Sequence, residues 1–344
     1  MIYYEFDATI NNKLKKIFRF YILKECIIIK IIADSTCDLS QFIIEKYDIS
    51  IAPLTINIDH KSYRDRIDIT PDELFNIIEG LATEISTSMP SPSEYLKIIN
   101  KAIQDGHNEI LCICMSSGTS GAYQSAVLSK EYFYEENPNS KCKIHIVDSL
   151  SMSHGSGYLI MKCAKLREIG ATFEELVEFA ETYKKNVKHF LSVDDLYHLI
   201  KSGRLSNASA FIGKLLMLKP IMSMKNGKGS IVGVERGTKK VLSHYVKAFI
   251  SNCYRSMTDF IIIGYTSDIS VAENLKRKII EETDYKDEIF IMQMGVAVGA
   301  HVGLGGISMY FIAKEPVNDN ILVKEVNNLI EKKNKLIDKI KENL

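Results

Sequence analysis

The residues of this chain best suited to chemistry are hydroxyls, and they come in clusters. Asp34-Ser35-Thr36 follows one apolar run, and Ser86-Thr87-Ser88-Met89-Pro90-Ser91 precedes a helix start at Pro92. Ser116-Ser117-Gly118-Thr119-Ser120-Gly121 follows a second run, and Asp148-Ser149 a third. Ser, Thr and Asp are the usual helix caps, so one such turn alone is more often a cap than a site. Several on one edge carry more weight. Helix N-termini present unpaired N–H groups and a partial positive charge. Hydroxyls add donors of adjustable direction, and two such turns meeting hold a carboxylate or phosphate without Lys or Arg. The turns that carry Ser35, Thr87, Ser88, Ser120 and Gly121 are therefore candidate ligand-binding turns.

Three further segments bear on chemistry. Gly295–Gly306 is a Gly-rich run that follows an apolar strand and contains His301. Close backbone packing is its plain reading, and an imidazole in a loop facing a cleft is the sharper one. Lys201-Ser202-Gly203-Arg204 and Arg236-Gly237-Thr238-Lys239-Lys240 are basic turns of the kind that meet a phosphate-bearing partner, although most such turns are simply solvated. The run around Gly295 is neither GxGxxG nor a Walker loop. No GxSxG elbow, HExxH or paired Cys/His metal signature occurs, so neither a hydrolase nor a metal or cofactor site is signalled.

These turns need elements to position them. Apolar β-rich runs at Cys26–Ile32, Ile49–Ile58, Ile110–Met115, Ile144–Val147 and Phe190–Val193 alternate with helical segments. Among the latter are Ser40–Tyr47 and helices opened by Thr70-Pro71-Asp72-Glu73, Ser91-Pro92-Ser93-Glu94 and Thr172, the last running to about Val187. That alternation predicts a mainly parallel sheet covered on both faces. From about residue 190 the pattern changes. Runs at Pro220–Met224 and Ser230–Glu235 flank Asn226-Gly227-Lys228-Gly229, a hairpin signal, with further runs at Phe260–Tyr265 and Ile289–Met294. The expected organisation is an N-terminal extension (1–25), an α/β domain (26–188), a smaller α+β domain with mixed or antiparallel pairing (189–313) and a C-terminal helical extension (314–344).

The chain has 344 residues, zero formal net charge, 46% hydrophobic and 25% charged residues, the balance of an ordinary globular protein. Nothing in that charge favours nucleic acid. Seven cysteines include no CxxC pair, which favours buried, reduced thiols and a cytoplasmic setting. Cys112 and Cys114, two apart on one strand, are expected to point the same way. Residues 17–32 are rich in Ile and Phe, yet Arg19, Lys24, Glu25 and Lys30 make them too charged to span a membrane.

In this order the motifs resemble the DegV family of fatty-acid-binding proteins, over about Lys30 to Tyr310. The markers are Ala33-Asp34-Ser35-Thr36-Cys37-Asp38-Leu39, Ser86 to Pro92, Ser116 to Ala126, Val147-Asp148-Ser149, Lys201 to Arg204, Lys219-Pro220-Ile221 and Gly299-Ala300-His301-Val302-Gly303. The resemblance implies a two-domain α/β protein that holds a long-chain fatty acid between its domains, with no cofactor and no complete active site of its own. It implies that Thr87 and Ser120 bind the carboxylate. It further implies that a partner kinase phosphorylates that carboxylate, with Arg236 and His301 linked to the step and Arg204 bordering it. Transient membrane contact would accompany such a role. Met89, Ala122, Gly118-Thr119 and Leu304 depart from the usual family residues. They leave the headgroup residues in place and bear on the tail tunnel. Two other readings stand beside this one: an esterase using Ser120 with His301 as base, and a binder of a different carboxylate.

Overall fold

The computed structural model describes residues 29–80, 84–205 and 218–314. The expected N-terminal extension and the helix expected from about Asn320 lie outside the described residues. The chain begins with β1 (Ile29–Asp34), a single 3-10 turn at Ser35–Cys37, α1 (Gln41–Lys46) and β2 (Ile49–Ala52). Next come β3 (Thr55–Ile58), β4 (Lys61–Arg64), α2 (Pro71–Gly80) and β5 (Ile85–Ser88). The first half closes with α3 (Pro92–Gln104), β6 (Glu109–Cys114), α4 (Ala122–Glu136), β7 (Lys143–Asp148), α5 (His154–Glu168) and α6 (Phe173–Tyr183).

β2-β1-β6-β7 form an all-parallel sheet. Its strands read as near-continuous apolar runs because both faces are covered. Tyr95, Ile99 and Ala102 of α3 and Ala126 and Phe133 of α4 cover one face. α5 and α6 cover the other, through Tyr158, Leu159, Leu176 and Phe179. Cys112 Sγ and Cys114 Sγ lie 3.6 Å apart on the α3–α4 side, as their spacing predicts.

The second half holds β8 (Val187–Ser192), α7 (Tyr197–Ser202), β9 (Lys219–Lys225), β10 (Lys228–Glu235), α8 (Thr238–Asn252) and β11 (Phe260–Tyr265). It ends with α9 (Ile269–Glu282), β12 (Glu288–Gln293), α10 (Val296–Val302) and β13 (Ile307–Ile312). A six-stranded mixed sheet runs β10-β9-β8-β13-β11-β12, with β11–β12 parallel and the other pairs antiparallel. α8 and α9 pack one face through Val241, Tyr245, Phe249, Leu275 and Ile279. The other face turns toward α5. That helix is buried at thirteen of its fifteen positions, the pattern of a helix with no solvent side. Its buried lysine is paired inside: Lys162 Nζ donates to Asp259 at 2.7 Å and to the Met257 carbonyl at 3.0 Å.

Four expectations need correction. The run Ile49–Ile58 is two strands in two sheets. Pro53, which has no N–H for a ladder, separates β2 from β3, and β3 joins β4 and β5 in a small antiparallel sheet. The helix begun by Thr172, with its capping box to Glu175, ends at Tyr183. Val187 instead opens β8, whose bounds also precede the expected Phe190–Val193. The Gly-rich segment is helical at its centre, as α10. Gly299 is needed there because an added Cβ would lie 2.8 Å from the Phe75 ring of α2. The Asn226-Gly227 turn forms as expected, both residues at positive φ (51° and 74°) in the manner of a type I′ hairpin.

Candidate ligand site

The loops after β1, β6 and β7 meet at the carboxyl edge of the parallel sheet, where α/β folds place ligands. Two carboxylates lock them together. Asp34 accepts from Thr36 N at 3.1 Å and Met115 N at 2.8 Å, joining the first loop to the second. Asp148 accepts from Ser117 N at 3.1 Å and from the Ser117 hydroxyl, joining the second to the third. Ser125 Oγ donates to the Pro90 carbonyl at 2.5 Å, fixing α4 against the turn after β5. The β9–β10 hairpin closes onto this edge from the second sheet: Ser116 Oγ donates to the Gly227 carbonyl at 2.6 Å.

Between that edge and the second sheet lies a cavity of about 270 Å³. Half of the chain's twelve methionines line it: Met89, Met115, Met152, Met222, Met224 and Met294. Leu54, Leu191, Leu199, Leu205, Val298 and Val302 complete the apolar wall. Thioether side chains are unbranched and polarisable, so this wall adapts to an irregular apolar ligand.

One set of polar side chains gathers around His301, and Ser153, His189 and Tyr310 line the cavity as another. Thr87 Oγ1 lies 2.8 Å from His301 Nε2, a hydrogen bond that spans 214 residues of sequence. Burial, with help from the nearby Arg204 and His198, pushes the His301 pKa down to about 4, so its imidazole is neutral at pH 7. A neutral imidazole carries one N–H. When that proton is on Nε2, it donates to Thr87 and frees the Thr87 hydroxyl proton for a ligand. Ser120 Oγ accepts from Ala122 N at 3.2 Å, which likewise leaves its own proton available. Gly121 sits against Met89, where an added Cβ would meet the Met89 sulfur. Arg204 follows Gly203, the left-handed residue that ends α7, and its guanidinium donates to the Ser202 carbonyl. Thr87, Arg204 and His301 also line an adjoining cleft of about 350 Å³, whose other walls include Asn57, Asp59, Glu84, His198 and Lys201.

The expected residues thus divide. Thr87, Ser120, Gly121, Arg204 and His301 all line the cavity. Ser35 does not: its hydroxyl donates to Asp65 at 2.7 Å and accepts from Leu54 N at 3.0 Å, and Thr36 is the cavity residue of that turn. Ser88 projects from the opposite face of β5 and accepts from Asn57 Nδ2 at 3.4 Å. Arg236 is an exposed residue just beyond β10 and outside the cavity lining. The hydroxyl that His301 holds is that of Thr87 rather than Ser120. Sequence reading missed the methionine wall and the polar cleft. Methionine enrichment after predicted strands was the available signal for the first; nothing local signalled the second. Among the described residues no Asp/Glu/His/Cys group is arranged to hold a metal ion, and no helix is long and apolar enough to cross a membrane.

The family profile described as "Uncharacterised protein, DegV family" matches residues 28–314. This chain belongs to the DegV family. A DegV domain-containing protein of Clostridium acetobutylicum is 34% identical over 287 residues, covering 83% of this chain and 99% of that protein. Among solved structures, a DegV family protein of Thermus thermophilus described for its fatty acid binding superposes with a TM-score of 0.75 at 27% identity, covering 83% of this chain and 99% of the other. A stearic acid-binding protein of Eubacterium ventriosum gives 0.75 at 26% identity, covering 83% and 98%. The architecture found here, a parallel sheet with a separate mixed sheet, matches DegV structures at TM-scores of 0.70–0.75.

Proposed function

We propose that this DegV chain binds one long-chain fatty acid in the cavity, its tail along the methionine–leucine wall and its carboxylate among Thr87, Ser120, His301 and Arg204. The observation that carries this reading is an apolar cavity ending in an imidazole–hydroxyl pair beside a guanidinium. Solved relatives described as fatty-acid binders support it. The magnitudes suffice. A roughly sixteen-carbon tail at ~0.8 kcal/mol per methylene contributes about 12 kcal/mol gross, and association removes several kcal/mol of that. Submicromolar affinity remains.

The carboxylate end borders the polar cleft, so the bound headgroup is the part of the ligand a second protein can reach. In this reading a cytoplasmic kinase catalytic subunit converts the carboxylate to an acyl phosphate there. Arg236, exposed and outside the cavity, serves the partner rather than the lipid. The chain itself acts as a carrier and substrate-presenting subunit.

Mass spectrometry of small molecules released on denaturing the purified protein tests the binding. One equivalent of a long-chain fatty acid is expected. Absence of lipid, even after incubation with several fatty acids, sinks the reading. For the second step, Arg236→Ala is expected to keep the lipid and to lose acyl-phosphate formation with a fatty acid kinase.

A further inference from the structure

The cavity carries polar side chains near both ends of α10, and the proposed carboxylate uses only one set. Ser153, His189 and Tyr310 also line it. All three are buried, at 4%, 5% and 3% exposure. Tyr310 faces His189 across the β8–β13 pair, with ring centroids 5.3 Å apart. Its hydroxyl is within hydrogen-bond reach of Ser308 and of Ser153. Ser153 Oγ donates to Asp38 Oδ2 at 2.6 Å, and the other Asp38 oxygen lies against Gly295, just ahead of α10. His301 is six residues further along, about 9 Å at the helical rise of ~1.5 Å per residue. The two polar groups therefore face one apolar chamber from opposite ends of the same helix.

A plain hydrocarbon tail gains nothing from this second group, because polar atoms buried against methylenes lose their water partners. The group is also held at a cost. Ser153 adopts φ 54° and ψ −142°, a conformation natural to glycine and strained for serine. The chain keeps a hydroxyl at this position although Gly155 and Gly157 stand close by. Hydrogen bonds fix the cluster from behind. His189 Nε2 is held 2.9 Å from Ser151 Oγ, and burial keeps the ring neutral. Ser153 Oγ donates to Asp38 and lies 3.3 Å from His154 Nδ1, so a remaining lone pair is what that oxygen offers, and Tyr310 adds a phenol. A wall that combines acceptors with one phenol matches a single hydroxyl group, which both donates and accepts.

We propose that Ser153, His189 and Tyr310 form a second polar subsite, and that the ligands of this chain include long-chain fatty acids bearing a mid-chain hydroxyl. This rests on the fatty-acid reading above. The mid-chain position follows from the separation of the two polar groups along α10.

The test is competition against a fluorescent long-chain fatty acid on the delipidated full-length chain. The competitors are octadecanoic acid, 10-hydroxyoctadecanoic acid and 2-hydroxyoctadecanoic acid. The mid-chain isomer is expected to compete about tenfold better than the unsubstituted acid, the worth of one well-made buried hydrogen bond. The 2-hydroxy isomer is expected to show no such advantage. Tyr310→Phe and Ser153→Gly, the latter relieving the strained backbone, are each expected to bring the ratio toward one. Equal or weaker competition by the mid-chain isomer overturns the subsite, as does a preference that survives both substitutions. Failure of every acid to compete overturns the fatty-acid reading itself.

Discussion

Two chambers meet at Thr87, Arg204 and His301, and they are built on opposite principles. The inner one, about 270 Å³, is walled by methionine and leucine from both halves of the chain. The outer one, about 350 Å³, is walled by Asn57, Asp59, Glu84, His198 and Lys201. The inner wall supplies affinity without direction, since apolar burial scales with area. The shared residues supply orientation. One face of this wall can therefore select a headgroup while the other remains open to a partner, and changes to the two chambers should separate experimentally.

The largest expected effect comes from making the inner chamber resemble the outer. Met222 is 3% exposed on the cavity wall. Met222→Glu places a charge there with no partner, a cost of several kcal/mol when a lipid tail covers it. Fatty-acid affinity is expected to fall on the order of a thousandfold. Met222→Leu, close in volume, is expected to stay within about tenfold. A displacement titration reads both, with thermal melting to confirm folding; equal affinities would place the tail elsewhere.

Next is the shared wall. Thr87→Val and Ser120→Ala each remove a hydrogen bond to a charged group, worth about 1.5–3 kcal/mol. Each is expected to weaken binding roughly 10- to 100-fold, and the pair together to abolish lipid retention through purification. Normal retention in the double variant would remove the headgroup assignment.

How these chambers were legible in the sequence follows from which interactions are local. Caps and turns are local, so Ser40, Ser91 and Thr172 marked helix starts correctly and Asn226-Gly227 marked its hairpin. The parallel sheet was legible from apolar runs of strand length followed by hydroxyl turns. Elements ended by tertiary demand were not. Apolar periodicity continues past Tyr183, yet Val187 is claimed by pairing with Ile312. The glycines near His301 suggested a loop, whereas Gly299 serves close packing of a helix on Phe75. Within the site, neighbouring hydroxyls could not be told apart. Ser35 and Thr36 differ by one position in a tight turn, and only the partners Asp65 and Leu54 turn Ser35 away from the cavity. The Thr87–His301 contact had no local signal, and the resemblance named both residues without pairing them.

A smaller effect concerns the closure of the inner chamber. An added Cβ at Gly118 would lie 2.6 Å from the Gly227 carbonyl oxygen, a backbone atom that cannot swing aside. Gly118→Ala is expected to push the hairpin off the Ser116–Gly121 turn at about 1–3 kcal/mol. A lowered melting temperature and faster release of a fluorescent fatty acid are the readouts. An unchanged release rate would show that the hairpin does not close the cavity.

The smallest effect, and the finest probe of the shared wall, is its response to pH. Burial pushes the His301 pKa down to about 4, against about 6.5 in the unfolded chain. A depressed histidine contributes stability that is present above the unfolded value and is lost as pH falls toward the folded one. The His301 contribution to stability is therefore expected to be lost from pH 6.5 downward. A carboxylate bound beside the imidazole favours the charged ring and raises its pKa, so binding takes up protons. Affinity is then expected to rise as pH falls from 8 to 6. Titration of the ligand's own carboxyl acts in the same range, and a His301→Gln variant measured in parallel isolates the contribution of the ring. A pH profile identical in both proteins would mean that the carboxylate does not sit beside His301, and that the headgroup is held by Thr87 and Ser120 away from the imidazole.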